Sequence, residues 1–121
     1  MTDSGAADRD AIVATALDYY EGWFDGDAGR MERALHPELA KRGVVPGGGI
    51  DTDTAKTMID ATAAGVGRSR DVPDRDIRVR VDDVHGDIAS ATVTSAVYVD
   101  YVHLVRIDDR WRIVNALWAR A

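Results

Sequence analysis

The chain has 121 residues, 45% of them apolar and 30% charged, with a net charge of −6, which suits one compact domain around a single core. It has no cysteine, which excludes disulfides and thiolate metal sites, and no apolar run approaches the roughly 20 residues that span a bilayer. Acids and arginines are interspersed under a negative balance, which argues against nucleic acid and against an anionic membrane as partners. The acidic opening "MTDSGAADRD" lacks the basic-then-apolar order of a secretion signal, so a cytoplasmic protein is expected.

Residues 1–7 read as a disordered lead-in. From Asp8, the apolar positions Ile12/Val13, Ala16/Leu17, Tyr19/Tyr20 and Trp23/Phe24 recur at helical spacing, predicting a helix of about four turns that ends at the glycine of "DGD". Asp27 is placed to cap a second short helix over 28–35, and Pro37 ends it by forcing His36 towards extended geometry. The glycine-rich "GVVPGGGIDTDT" has no lysine and no helix directly after its glycines, so it reads as a connector and not as a phosphate loop. Asp53 or Thr54 can cap a third helix, with Ala55, Met58, Ile59 and Ala63 facing inward. Strands follow: "DIRVRVDDV", a turn at "HGD", the long β-branched "IASATVTSAVYVDYV", and a tight turn at Asp108-Asp109 into "WRIVNALW". Helices first and an antiparallel meander after them predict an α+β fold, with the long strand bending or bulging to give a strongly curved sheet.

Two stretches, "DYYEGWFDGDAGRMERALHPELAKRG" and "DIASATVTSAVYVDYVHLVRIDDRWRIVNALW", together resemble the "putative lumazine-binding" family of the nuclear transport factor 2-like superfamily, which also holds ketosteroid isomerase and SnoaL-type cyclases. The resemblance covers the chain from Asp8 to Trp118. It implies a single cone-shaped domain over 1–121, in which N-terminal helices pack inside a curved antiparallel sheet and leave an apolar pocket for a small organic molecule. It also implies a homodimer formed through the outer sheet face. Against ketosteroid isomerase, Tyr19 falls at the position of a helix-borne tyrosine and His103 at that of a pocket aspartic acid. The general-base aspartate falls near Gly43, where this chain has none.

His103 lies in the middle of an otherwise apolar strand. With Asp108-Asp109 as a two-residue turn and unbroken pairing, His103 stands opposite Val114, Tyr101 opposite Ala116, and Val99 opposite Trp118. Directly paired residues share a face. Assigning that face to the pocket makes His103, Tyr19 and Tyr101 the candidate catalytic groups, since imidazole titrates near neutral pH and phenols donate hydrogen bonds. Tyr20, Trp23, His36, Val99, Val114, Ala116 and Trp118 become candidate ligand contacts. The opposite face, with Asp100 on it, then presents Val102, Leu104, Trp111, Ile113 and Leu117 to a partner subunit. Lys41 and Arg42 read as solvated or as a rim that attracts anions. No motif for a fixed cofactor is present, and three distant histidines do not make a metal site. The expected function is binding of a small molecule in an enclosed apolar pocket. The alternatives are a cofactor-independent isomerase, dehydratase or cyclase using His103 as acid/base, and a protein-interaction module.

Overall fold

The computed structural model describes residues 4–121. In chain order the elements are α1 (Ser4–Asp25), α2 (Ala28–Ala34), β1 (Leu35–Val44), β2 (Ile50–Asp53), α3 (Ala55–Ala63), a 3-10 turn (Arg68–Arg70), β3 (Arg78–His85), β4 (Ile88–Thr94), β5 (Tyr98–Ile107) and β6 (Arg110–Arg120). The six strands form one sheet in the order β2-β1-β6-β5-β4-β3. The class is α+β, as expected, but the sheet is mixed because β1 runs parallel to β6.

Helix α1 touches both β6 and the edge strand β3. Three strand spacings of about 4.8 Å separate those strands, more than the roughly 10 Å diameter of a helix, so the sheet must curl around α1 for both contacts to exist. Ile12, Ala16, Tyr19, Tyr20 and Phe24 of α1 are buried against Val93, Val102, Leu104 and Ile113 of the strands. Each fully buried aliphatic side chain contributes about 1.5–3 kcal/mol relative to exposure, and this cluster is the core.

The local signals act as read. The Asp27 side chain accepts from the backbone N–H of Arg30 and caps α2. Thr54 and Thr57 form a reciprocal capping box on α3, satisfying backbone groups the helix itself leaves open. Inward on α3 are Ala55, Met58 and Thr62, whereas Ala63 is exposed. Asp108 and Asp109 both have positive φ, 53° and 61°, the type I′ geometry whose twist suits a two-residue hairpin.

Three expectations change. Residues 4–7, read as part of a disordered lead-in, belong to α1, while residues 1–3 lie outside the described residues. The segment read as a connector, residues 43–54, holds the end of β1 and all of β2, and the two strands pair from Lys41↔Asp53 to Val44↔Ile50 around glycines 47, 48 and 49, all at positive φ. Polar and glycine-rich, it lacks the β-branched alternation by which strands are recognised.

The third change decides the site. Pairing of β5 with β6 runs regularly from Ile107↔Arg110 to Leu104↔Ile113 and then shifts, so that His103 faces Asn115 and Val102 faces Ala116. Val114 is the extra residue of a β-bulge, and the bulge reverses the faces of everything beyond it on β6. Strand β1 is irregular at the same level, between Leu35 and Ala40, where Pro37 has no N–H to give a ladder. Trp111 and Ile113, before the bulge, are buried, so the face that carries them is the inner one, and after the bulge Ala116 and Trp118 join them there. Val102, Leu104, Trp111 and Ile113 are core residues and not an outer patch.

Candidate functional site

The mouth of the cone leads into a cavity of about 300 Å³ with mainly apolar walls. Helix α1 contributes Tyr19, Tyr20 and Trp23, α3 contributes Met58 and Ala61, and the sheet contributes Lys41, Asp53, Tyr98, Asp100 and Trp118. Asp51, Arg70 and Arg120 line it too and are exposed, so they mark its opening. Two glycines make room for the tryptophans. A Cβ on Gly43 would overlap the Trp118 indole, and one on Gly67 would overlap that of Trp23. Gly43 thus leaves the space that Trp118 fills.

A polar network crosses the inner wall. The Lys41 side-chain nitrogen donates to the Tyr19 hydroxyl at 2.6 Å. Tyr19 donates to Asp100 Oδ1 at 3.2 Å, and the Tyr20 hydroxyl lies 2.7 Å from Asp100 Oδ2 and 3.0 Å from the carbonyl of Val93. Tyr20 has one hydrogen to give. The two contacts share that hydrogen in a bifurcated bond, or become two separate bonds when Asp100 carries a proton and donates it to Tyr20, which then donates to Val93. Burial favours the protonated acid. Asp100 is 2% exposed, and desolvation raises its pKa against the opposing effects of Lys41 and the two phenols. Lys41 is 8% exposed, and desolvation lowers its pKa, with Asp100 and Asp53 resisting. Burial, and secondarily the Asp100 charge, raises both tyrosines, so they stay protonated.

Lys41 makes no ion pair within 4 Å among the described residues. Its nitrogen sits 4.9 Å from the Tyr19 ring centroid and 5.6 Å from that of Trp118. Nearby, Trp23 Nε1 donates to the Tyr98 hydroxyl at 3.2 Å, and Tyr98 meets Trp118 edge to face. The Trp118 N–H is buried and has no acceptor among the described residues.

Of the residues expected at the site, Tyr19, Tyr20, Trp23 and Trp118 line the cavity. Ala116 is buried on the inner face without lining it. His103 is a correction: it is exposed on the outer face, with Nδ1 3.3 Å from Asn115 Nδ2. It lines a shallow outer recess that includes Val114 and His85. Tyr101, 60% exposed, and Val99 lie on that outer face too, because they alternate with the buried Tyr98, Asp100 and Val102. His36 sits at the start of β1, away from the cavity, where its Nδ1 accepts from the backbone N–H of Glu38. Lys41, read as rim or solvent, and Asp100, read as outward, are the central polar groups. Among the described residues, no group of three or more His, Cys, Asp or Glu side chains is placed to hold a metal ion, and no helix is long and apolar enough to cross a membrane.

Comparison with known proteins agrees with this architecture. The chain is 23% identical over 126 residues to a protein of Cladobotryum sp named "Aldolase FrzH", covering 93% of this chain and 91% of that one. Two crystal structures of NTF2-like proteins of unknown function, from Shewanella baltica and Silicibacter pomeroyi, superpose with a TM-score of 0.77 at 20% identity. Each match covers the whole of this chain and 98% and 100% of the other. Such likenesses establish the nuclear transport factor 2-like fold. A family model described as "Putative lumazine-binding" matches residues 7–119, nearly the full length, and the chain belongs to that family.

Proposed function

We propose that the protein binds a small organic molecule in the cavity between α1, α3 and the inner sheet face. The observation that carries this reading is the cavity itself: about 300 Å³, open at one side, walled by aromatic rings and holding Lys41 and Asp100 at its inner end. Small-molecule sites have this composition, mostly apolar with a few converging polar groups. The ligand is a flat or aromatic compound with an oxygen that meets Lys41 or the Trp118 N–H. A pure interaction module would have this space filled by its own side chains. Titration with lumazine and 2-naphthol, followed by tryptophan emission, tests the reading because Trp23 and Trp118 are both walls. A shift with either compound, or a co-purified mass in a native spectrum, supports it. An unchanged emission with both and a bare chain mass overturn it.

A second reading is favoured by one feature. Lys41, Tyr19 and Asp100 converge as an amine, a phenol and a carboxyl around one point of the wall, which is what a cofactor-independent enzyme requires. The acid/base groups of such an enzyme are these three, not His103 and Tyr101. The relative named as an aldolase supports carbonyl chemistry in a cavity of this kind.

The homodimer remains part of the proposal, through different residues. Tyr101 and Leu117, paired across β5 and β6 on the outer face, are 60% and 50% exposed and offer an apolar surface to a second copy. Light scattering is expected to give twice the chain mass. A monomer would leave that face to solvent and refute the dimer.

A further inference from the structure

We propose that Lys41 captures carbonyl compounds, its side-chain amine forming a reversible imine with an aldehyde or ketone in the cavity while Tyr19 and Asp100 deliver the proton that removes the oxygen. This rests on the small-molecule reading of the cavity and adds the ligand's chemical class.

Two independent observations lead to it. The first is geometric: Lys41 is buried at the cavity wall with its nitrogen on the Tyr19 hydroxyl, and it makes no ion pair within 4 Å among the described residues, neither with Asp100 nor with Asp53 across the strand pair. Burial without an ion pair favours the neutral amine, the state in which an amine is nucleophilic. Burial lowers its pKa, in agreement. The groups facing it are Tyr19, Tyr20, Asp53 and Asp100, and of these Asp53 alone is a carboxylate without a phenol partner. The second observation is in the sequence. The chain has only two lysines, Lys41 and Lys56. Lys56 lies on the exposed side of α3, paired with Asp60 at 2.6 Å, and that hydrogen bond raises its pKa. One lysine is buried beside a cavity with its pKa lowered, and the other is exposed with its pKa raised.

The step balances without an oxidant or reductant. The Nζ lone pair forms the C–N bond, and the carbonyl π pair moves to oxygen. One N–H proton passes to that oxygen, giving a carbinolamine. The C–O bond then breaks with its electron pair, the oxygen leaving as water with a proton that Asp100 supplies through Tyr19. The nitrogen lone pair closes the C=N bond. A protonated imine and the Asp100 carboxylate remain as an ion pair, and hydrolysis reverses the sequence.

The full chain is incubated with 2-naphthaldehyde and cyanoborohydride, which reduces the imine to a stable amine, and the label is located by peptide mass mapping. Lys41 is expected to carry several times the label of Lys56, since a lowered pKa leaves more of the amine free at a fixed pH. The comparison is internal to one protein and needs no variant. Lys41→Arg, which cannot form the imine, should lose that label, whereas Lys56→Arg, on the exposed side of α3, should leave the label on Lys41 in place. If 2-naphthol shifts tryptophan emission but Lys41 is labelled no more than Lys56, the imine is refuted and the binding reading stands. If neither compound acts on the protein, both fall.

Discussion

Asp100 and His103 stand three residues apart on β5 and present opposite cases of a polar side chain in an apolar strand. Asp100 is 2% exposed and has two phenol partners, with Lys41 linked through one of them. His103 is exposed, and its one side-chain contact is Asn115 at 3.3 Å. The inner face of the sheet tolerates an ionisable group only inside a connected network, because an unpaired buried charge costs several kcal/mol. The outer face imposes no such demand. A polar residue buried against that cost, beside a cavity, is the better indicator of function.

The largest effect is therefore expected from Asp100→Ala. It removes the acceptor of Tyr19 and the partner of Tyr20 and leaves a gap beside Lys41, so urea unfolding should show a loss of about 2–5 kcal/mol from two orphaned hydroxyls and a cavity. Asp100→Asn preserves shape and hydrogen bonding and should lose markedly less. Equal losses would mean that packing, and not the network, holds the inner wall.

Next comes a neighbouring pair on β1. Gly43→Ala places a methyl group where the Trp118 indole lies and should cost about 1–3 kcal/mol, with a shift in tryptophan emission as the ring is displaced. Arg42→Ala, one residue away and exposed, should change stability by less than about 0.5 kcal/mol. Similar values for the two would contradict the assignment of faces on β1.

The pH dependence is smaller and has a definite sign. Lys41 is lowered from 10.5, so between its folded value and 10.5 the unfolded chain binds more protons than the native one. Stability then rises with pH across that window. Asp100 is raised from 3.8; between 3.8 and its folded value the native state binds more protons, and stability falls as pH rises. The alkaline gain should be read below pH 10.0, the ordinary value from which Tyr19 and Tyr20 are raised and above which they act in the opposite sense. Lys41→Met should abolish it. Parallel urea midpoints for wild type and Lys41→Met from neutral to alkaline pH would refute a depressed Lys41.

Much of the fold was legible because its signals are local: the period of α1, the Asp27 and Thr54 caps, and the Asp108-Asp109 turn. On β5 the alternation itself was also correct, separating Tyr98, Asp100, Val102 and Leu104 from Val99, Tyr101 and His103. What the sequence did not reveal was which set faces inward, since both are largely apolar near the middle of the strand. A single inserted residue at Val114 then brought Ala116 and Trp118 to the side of Asp100, and nothing in "RIVNALW" marks a bulge. Strands β1 and β2 were missed for a related reason. Strand β1 lies against a parallel partner far away in sequence, β2 pairs only with β1, and the segment joining them is polar and glycine-rich. Lys41 could not be recognised as buried before β1 was known to be a strand. One signal was available: Asp100 is the one carboxylate between Ile88 and Ile107, and α1 carries two adjacent tyrosines able to serve it.

The smallest expected effect belongs to His103. Its imidazole has no contact with the cavity, and its neighbours across the sheet are Ser90 and Asn115, so replacing it removes no buried hydrogen bond and opens no void. His103→Ala should change stability by no more than about 0.5 kcal/mol and leave the emission titration with 2-naphthol unchanged. It does lie beside the exposed Tyr101, on the face assigned to the second copy. His103→Glu therefore tests the comparison from the other side: two added carboxylates meet across a symmetric interface, where like charges oppose association. Light scattering should show the dimer of that variant weakened while cavity binding persists. A His103→Ala protein that loses 2-naphthol binding while keeping its stability would place the histidine at the cavity after all, and with it would reverse the two faces of β5.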